Sequence, residues 1–97
     1  MRAIRILYGS IMDEVDGASE YASYASMYKE SDPELHKMFI SLASTELEHA
    51  KTLMQHLDRK QADVKDAGWA FDELMTTIKT AAMRQMAEAK AAVELAK

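Results

Sequence analysis

Glu46 and His49 stand three residues apart in the string Thr45-Glu46-Leu47-Glu48-His49-Ala50. On a helix that spacing puts a carboxylate and an imidazole one above the other on the same side, where both can reach one metal ion. The string lies in a run whose apolar residues, Leu35, Phe39, Leu42, Ala50, Leu53 and Leu57, recur at helical intervals. Projected at about 100° per residue, Glu46 falls near the centre of that stripe and His49 within it. A rule that buries Leu and Phe therefore buries Glu46 as well. An uncompensated buried carboxylate is costly, and charged side chains are almost never fully buried unless paired. A metal ion is the compensation that best fits the rest of the sequence. Glu-x-x-His alone occurs by chance in many helices, so the case turns on what other donors the chain brings.

One such donor precedes it. Ile4, Tyr8, Ile11, Val15, Ala18, Ala22 and Ala25 alternate steps of four and three, which predicts a helix from about Arg2 to about Lys29. Glu14 falls on the shoulder of its apolar face, in line with Leu7, Tyr21 and Tyr28, while Asp13, Asp16 and Glu20 point away. Ser31-Asp32-Pro33-Glu34-Leu35 then reads as a stop and restart. Asp32 suits the N-cap, Pro33 the first helical position and Glu34 the positive end of the dipole. So short a connection makes the two helices antiparallel neighbours. Glu14 lies about 18 residues before the turn and Glu46 about 14 after it, so at 1.5 Å per residue the two reach similar heights within about a turn.

The second helix is expected from Pro33 to about Lys60, with Met38, Ala43 and Met54 flanking its stripe and Glu48 on the far side near Lys37 and Lys51. His36 is off the stripe, and His56 lies two turns below His49 on the same shoulder. Both read as boundary residues, with a supporting role at the site as the sharper alternative for His56. The charged segment from Arg59 to Gly68 either continues the helix or turns, near Gln61-Ala62-Asp63 or at Asp66-Ala67-Gly68. A third helix follows from about Val64 or Trp69 to Ala96. Its face is Phe71, Leu74, Met75, Ile78, Ala82, Met86, Ala89, Val93 and Ala96, with Asp72, Glu73, Glu88 and Glu94 projecting elsewhere. It offers packing but no inward ligand. The methionines serve as adaptable filler. The chain thus divides into a hairpin at 1–60 that carries the candidate donors and a helix at 61–97 for packing or oligomerisation.

Composition agrees. Three Gly, one Pro and 48% hydrophobic residues in 97 predict a single all-α domain, or part of one completed by another copy. The absence of cysteine excludes disulfides and thiolate metal sites. A net charge of −4 argues against broad nucleic-acid binding. Asp13, Glu14 and Asp16 interrupt the first apolar run too early for a signal peptide or membrane span, so a soluble, cytoplasmic protein is expected.

Glu14, Ala18, Tyr21 and Ala25, then Asp32-Pro33-Glu34-Leu35, then Glu46-Leu47-Glu48-His49-Ala50 resemble the first hairpin of ferritin-like di-iron proteins, among them ferritins, rubrerythrins and the short encapsulated ferritins. The likeness covers roughly residues 4 to 58. It implies Glu14 as a terminal carboxylate, Glu46 as a bridging carboxylate, His49 as the imidazole ligand and Tyr21 as the tyrosine that hydrogen-bonds a site carboxylate. Iron is the implied metal, two ions per site, with manganese or zinc as alternatives. The family's usual bundle takes a Glu from each of two helices and a Glu-x-x-His from each of the other two. This chain has one of each, which is half a site. A homodimer or larger homo-oligomer on a two-fold axis would complete both the four-helix bundle and the centre. The short encapsulated ferritins are built that way. Their shell-docking tail has no counterpart in Ala92-Val93-Glu94-Leu95-Ala96-Lys97, so an encapsulating shell remains an open partner without a recognised tether. The expected activity is oxidation of Fe(II) by oxygen or peroxide. A non-enzymatic helical scaffold that retains the hairpin is the alternative.

Overall fold

The apolar periodicities become three long helices in the computed structural model, which describes residues 1–64 and 68–97. They are α1 (Arg2–Tyr28), α2 (Pro33–Asp63) and α3 (Gly68–Ala96). The turn alternative at Asp66-Ala67 lies outside the described residues. The restart between α1 and α2 is built as its residues dictate. The Asp32 side chain accepts from the Leu35 amide at 3.1 Å, Pro33 opens the helix, and Glu34 lies in its first turn. The His36 Nδ1–H donates to the Ala25 carbonyl at 2.8 Å, one of the last-turn acceptors of α1 left without a helical partner. His36 is therefore a satisfied boundary residue. Gly68, at φ 81°, starts α3 in the left-handed region that other residues enter at a cost.

Small residues let the helices approach closely. Ala18, Ala22 and Ala25 of α1, Ala43 and Ala50 of α2, and Ala82, Ala89 and Ala96 of α3 are all buried. Ile11, Val15, Leu57 and Met75 are the largest fully buried side chains, and no polar or charged residue is buried among the described residues. The α3 helix packs chiefly on α1 and more lightly on α2. Lys79 ties it to α2 through Asp58 at 2.7 Å and Gln61 at 3.0 Å.

The stripe expected on α2 is only partly buried. Ala50 and Leu57 are enclosed, but Leu35, Phe39 and Leu53 are half-buried and Leu42 is 37% exposed. Glu46 is likewise half-buried, not enclosed. The apolar arc of α2 is broader than its partners within the chain can cover. Ala43, Ala50 and Leu57 are enclosed, Phe39, Leu47, Leu53 and Met54 pack against the core while staying partly exposed, and Leu35 and Leu42 belong to neither buried cluster. In the same way Leu74, expected on the buried face of α3, is exposed. The molecule is a rod of 56 × 16 × 14 Å with a radius of gyration of 15.8 Å. A globular chain of this length would have about 12–13 Å. Among the described residues no helix is long and apolar enough to cross a membrane.

Candidate metal centre

Glu14 from the middle of α1 and Glu46 and His49 from the middle of α2 meet across the hairpin. Each offers one ligand atom, and the three atoms lie within 4.8 Å of one another. Among the described residues no other trio of histidine and acid side chains does this. His49 Nδ1 is 3.3 Å from Glu14 Oε2, with the histidine side chain 55% and the glutamate 25% exposed. Two carboxylates and one imidazole at this spacing could hold a divalent cation.

The electrostatics are those of a site that wants positive charge. The pKa of Glu46 is raised from its ordinary 4.5, first by a hydrogen bond to the Glu14 carboxyl, then by desolvation, then by the Glu14 charge. His49 opposes the shift. Two like charges this close cannot both ionise without cost, and a shared proton relieves the repulsion. A cation between them would do the same more strongly. This donor set, rich in oxygen with one nitrogen and no sulfur, suits iron or manganese better than copper.

The trio opens on one side of the hairpin. Leu47, the residue after Glu46, turns instead toward α3, where it lines a groove with Met86 and Val93. One residue is about 100° around a helix, so α3 and the trio occupy different sides of α2. The acids Asp72, Glu73, Glu88 and Glu94 of α3 are all exposed and stay outside the trio, as their register on α3 predicts. Glu48 is exposed and pairs with Lys51 at 3.5 Å. His56 is exposed and stands apart from the three.

A family model described as Rubrerythrin matches residues 5–96. The chain belongs to the rubrerythrin family. This is a ferritin-like di-iron family. The match runs through α3, whereas the hairpin motifs alone reach only to about residue 58. Neither a search of curated proteins nor a search of solved structures finds a significant match.

Tyr21 is placed near one end of the site face but not yet on a carboxylate. Its ring stacks on Phe39 at 6.1 Å and meets Tyr24 edge-on at 6.5 Å. Tyr24 donates to Glu20 at 2.6 Å, and that contact raises the pKa of its hydroxyl. Phe39 thus gathers Tyr21, Tyr24 and Tyr28 into an aromatic cluster at the turn end of the hairpin. One residue of the site was not visible in the ligand pattern. A Cβ built on Gly17 would lie 2.9 Å from Glu46 Oε2. The available signal was a glycine one turn after Glu14 inside an otherwise strong helix pattern.

Proposed function

We propose that two copies of this rubrerythrin-family chain pair about a two-fold axis through the open face of the hairpin. Two Glu14, two Glu46 and two His49 would then surround a di-iron centre that oxidises Fe(II) with oxygen or peroxide. The observation that supports this most is where the trio lies. Leu35, Phe39, Leu42, Glu46, His49 and Leu53 alternate steps of four and three along α2, and Leu7, Glu14, Tyr21 and Tyr28 repeat every seven along α1. The face that carries the ligands is the half-buried apolar face the chain only partly covers itself. A coiled-coil spacing of this kind calls for helical partners, and a second hairpin supplies both the cover and the missing donors.

In this reading Glu14, Glu46 and His49 of each copy would hold the ions between them. Bound iron would supply the one-electron redox chemistry that no side chain in the trio has. The residues do the rest. Both carboxylates would have to be deprotonated to ligate, so loading would compete with the proton that the Glu14 neighbour favours on Glu46. The limited ligand set leaves positions for the oxidant, and the second hairpin excludes bulk water. Two Fe(II) give up two electrons, which with two protons reduce oxygen to hydrogen peroxide, or peroxide to two waters.

One observation favours the scaffold reading. His49 Nδ1 already pairs with Glu14 Oε2 at 3.3 Å within the chain, as a purely structural polar pair would. Aerobic Fe(II) oxidation followed by absorbance separates the two readings. Wild type should oxidise iron well above the buffer rate, and Glu46→Ala and His49→Ala should return to that rate. Equal rates in all three proteins, with no iron, manganese or zinc retained after purification from supplemented cells, would leave the scaffold.

A further inference from the structure

Two glycines interrupt α1, and what surrounds them differs. A Cβ on Gly9 would meet nothing within 4 Å. A Cβ on Gly17 would meet Glu46 three times over, with Oε2 at 2.9 Å, Cδ at 3.4 Å and Cγ at 3.7 Å. The first of these is closer than carbon and oxygen tolerate without a shift. Glycine is a poor helix residue, and alanine fills this helix elsewhere at Ala18, Ala22 and Ala25. The local preference is therefore for alanine at 17, and the space Glu46 occupies runs against it.

We infer that Gly17 is a positioning residue: its missing side chain is the seat of the Glu46 carboxylate. This rests on the reading of Glu46 as a metal ligand. Glu46 reaches from α2 across to α1 and lies over the Gly17 backbone, within reach of Glu14 one turn earlier on the same helix. Any larger residue at 17 moves the carboxylate, not the helices, since the atom met first is the end of a flexible side chain. The fold then survives and the ligand geometry does not. Groups that orient metal ligands from outside the ligand set are worth about 10- to 100-fold in metal affinity.

The test compares wild type, Gly17→Ala, Gly9→Ala and Glu46→Ala by Co(II) titration under anaerobic conditions, by metal-free thermal melting and by light scattering. Gly17→Ala should melt at or above wild type, keep the wild-type mass and bind Co(II) about 10- to 100-fold more weakly. Gly9→Ala should share the gain in melting temperature and bind Co(II) as wild type does. Wild-type affinity in Gly17→Ala, or a melting temperature well below wild type, overturns the inference. A wild type that binds no Co(II) overturns the metal reading alone. Metal-free crystal structures then decide the seat: Glu46 Oε2 must leave its place in Gly17→Ala, and an unmoved carboxylate overturns the inference.

Discussion

At the scale of single residues, the candidate centre would set a proton and a cation in competition for the same two carboxylates. Glu46 holds its proton above the ordinary 4.5 because Glu14 hydrogen-bonds it, burial desolvates it and the Glu14 charge repels its ionised form. The sign for the metal-free protein follows. The native chain binds a proton that the unfolded chain has released, so stability is present in acid and lost as pH rises from the ordinary glutamate range through the raised value. Glu46→Gln removes the ionisation and keeps the shape. At about pH 7 the metal-free variant should melt at or above wild type, because the like-charge cost is gone. Wild type at about 100 times its Kd for Mn(II) should gain about 2.7 kcal/mol, and the variant should gain nothing. Melting curves with and without Mn(II) across the acid-to-neutral range read both. A Glu46→Gln protein that is less stable without metal and equally stabilised with it would sink the shared-carboxylate picture. Glu14, Glu46 and His49 could be read from sequence because each is a polar residue at an apolar register, an anomaly that periodicity exposes. Gly17 could not, because its contribution is an absent side chain whose meaning depends on what reaches across from α2.

At the scale of elements, the boundaries that were legible are those with local chemistry. Asp32, Pro33 and Glu34 form a cap, a start and a charge at a helix end, and the Asp32–Leu35 bond is the result. Asp32→Ala should cost about 0.5–2 kcal/mol in urea unfolding, while Leu57→Ala, at a fully buried position, should cost about 2–5 kcal/mol. Comparable losses from both would mean the cap holds more of the hairpin than one hydrogen bond explains. The far end of α2 was less legible: Gln61, Ala62 and Asp63 extend the helix past Lys60 with no stop signal until Val64 turns extended. The phase of α2 also needed the structure. Its apolar residues span an arc wide enough for two contacts, and hydropathy alone does not say that Ala43, Ala50 and Leu57 take the inner one. Small alanines win that seam because they let α1 and α2 close on each other, which leaves Leu42 to the side and Phe39 at the seam's edge under the tyrosines of α1.

The whole molecule is a three-helix rod with one long face half-covered, and the candidate centre lies midway along that face. α3 has a definite task here: it closes a different side of the hairpin, where Met75, Ala82 and Ala89 join Ile4, Ile11, Val15 and Ala18 in one buried cluster, and leaves the ligand side alone. Hydrophobic pattern predicts that α3 packs, but which side it takes depends on relative helix rotations that no local signal encodes. If a second copy completes the site, scattering mass should be at least twice the 10.9 kDa of one chain, and Leu42→Arg should lower both mass and Fe(II) oxidation while leaving the helical content unchanged. Mass alone does not show that the centre is shared, since two chains could pair with independent sites. Mixing does. Let wild type and Glu46→Ala be unfolded together in equal amounts and refolded, so that chains pair at random. Independent sites would retain about half the wild-type rate, because each wild-type chain works whoever its neighbour is. A shared site that needs both Glu46 carboxylates would retain about a quarter, because only pairs of two wild-type chains are whole. A rate that tracks the wild-type fraction in direct proportion rejects the two-fold centre, and one that tracks its square establishes it.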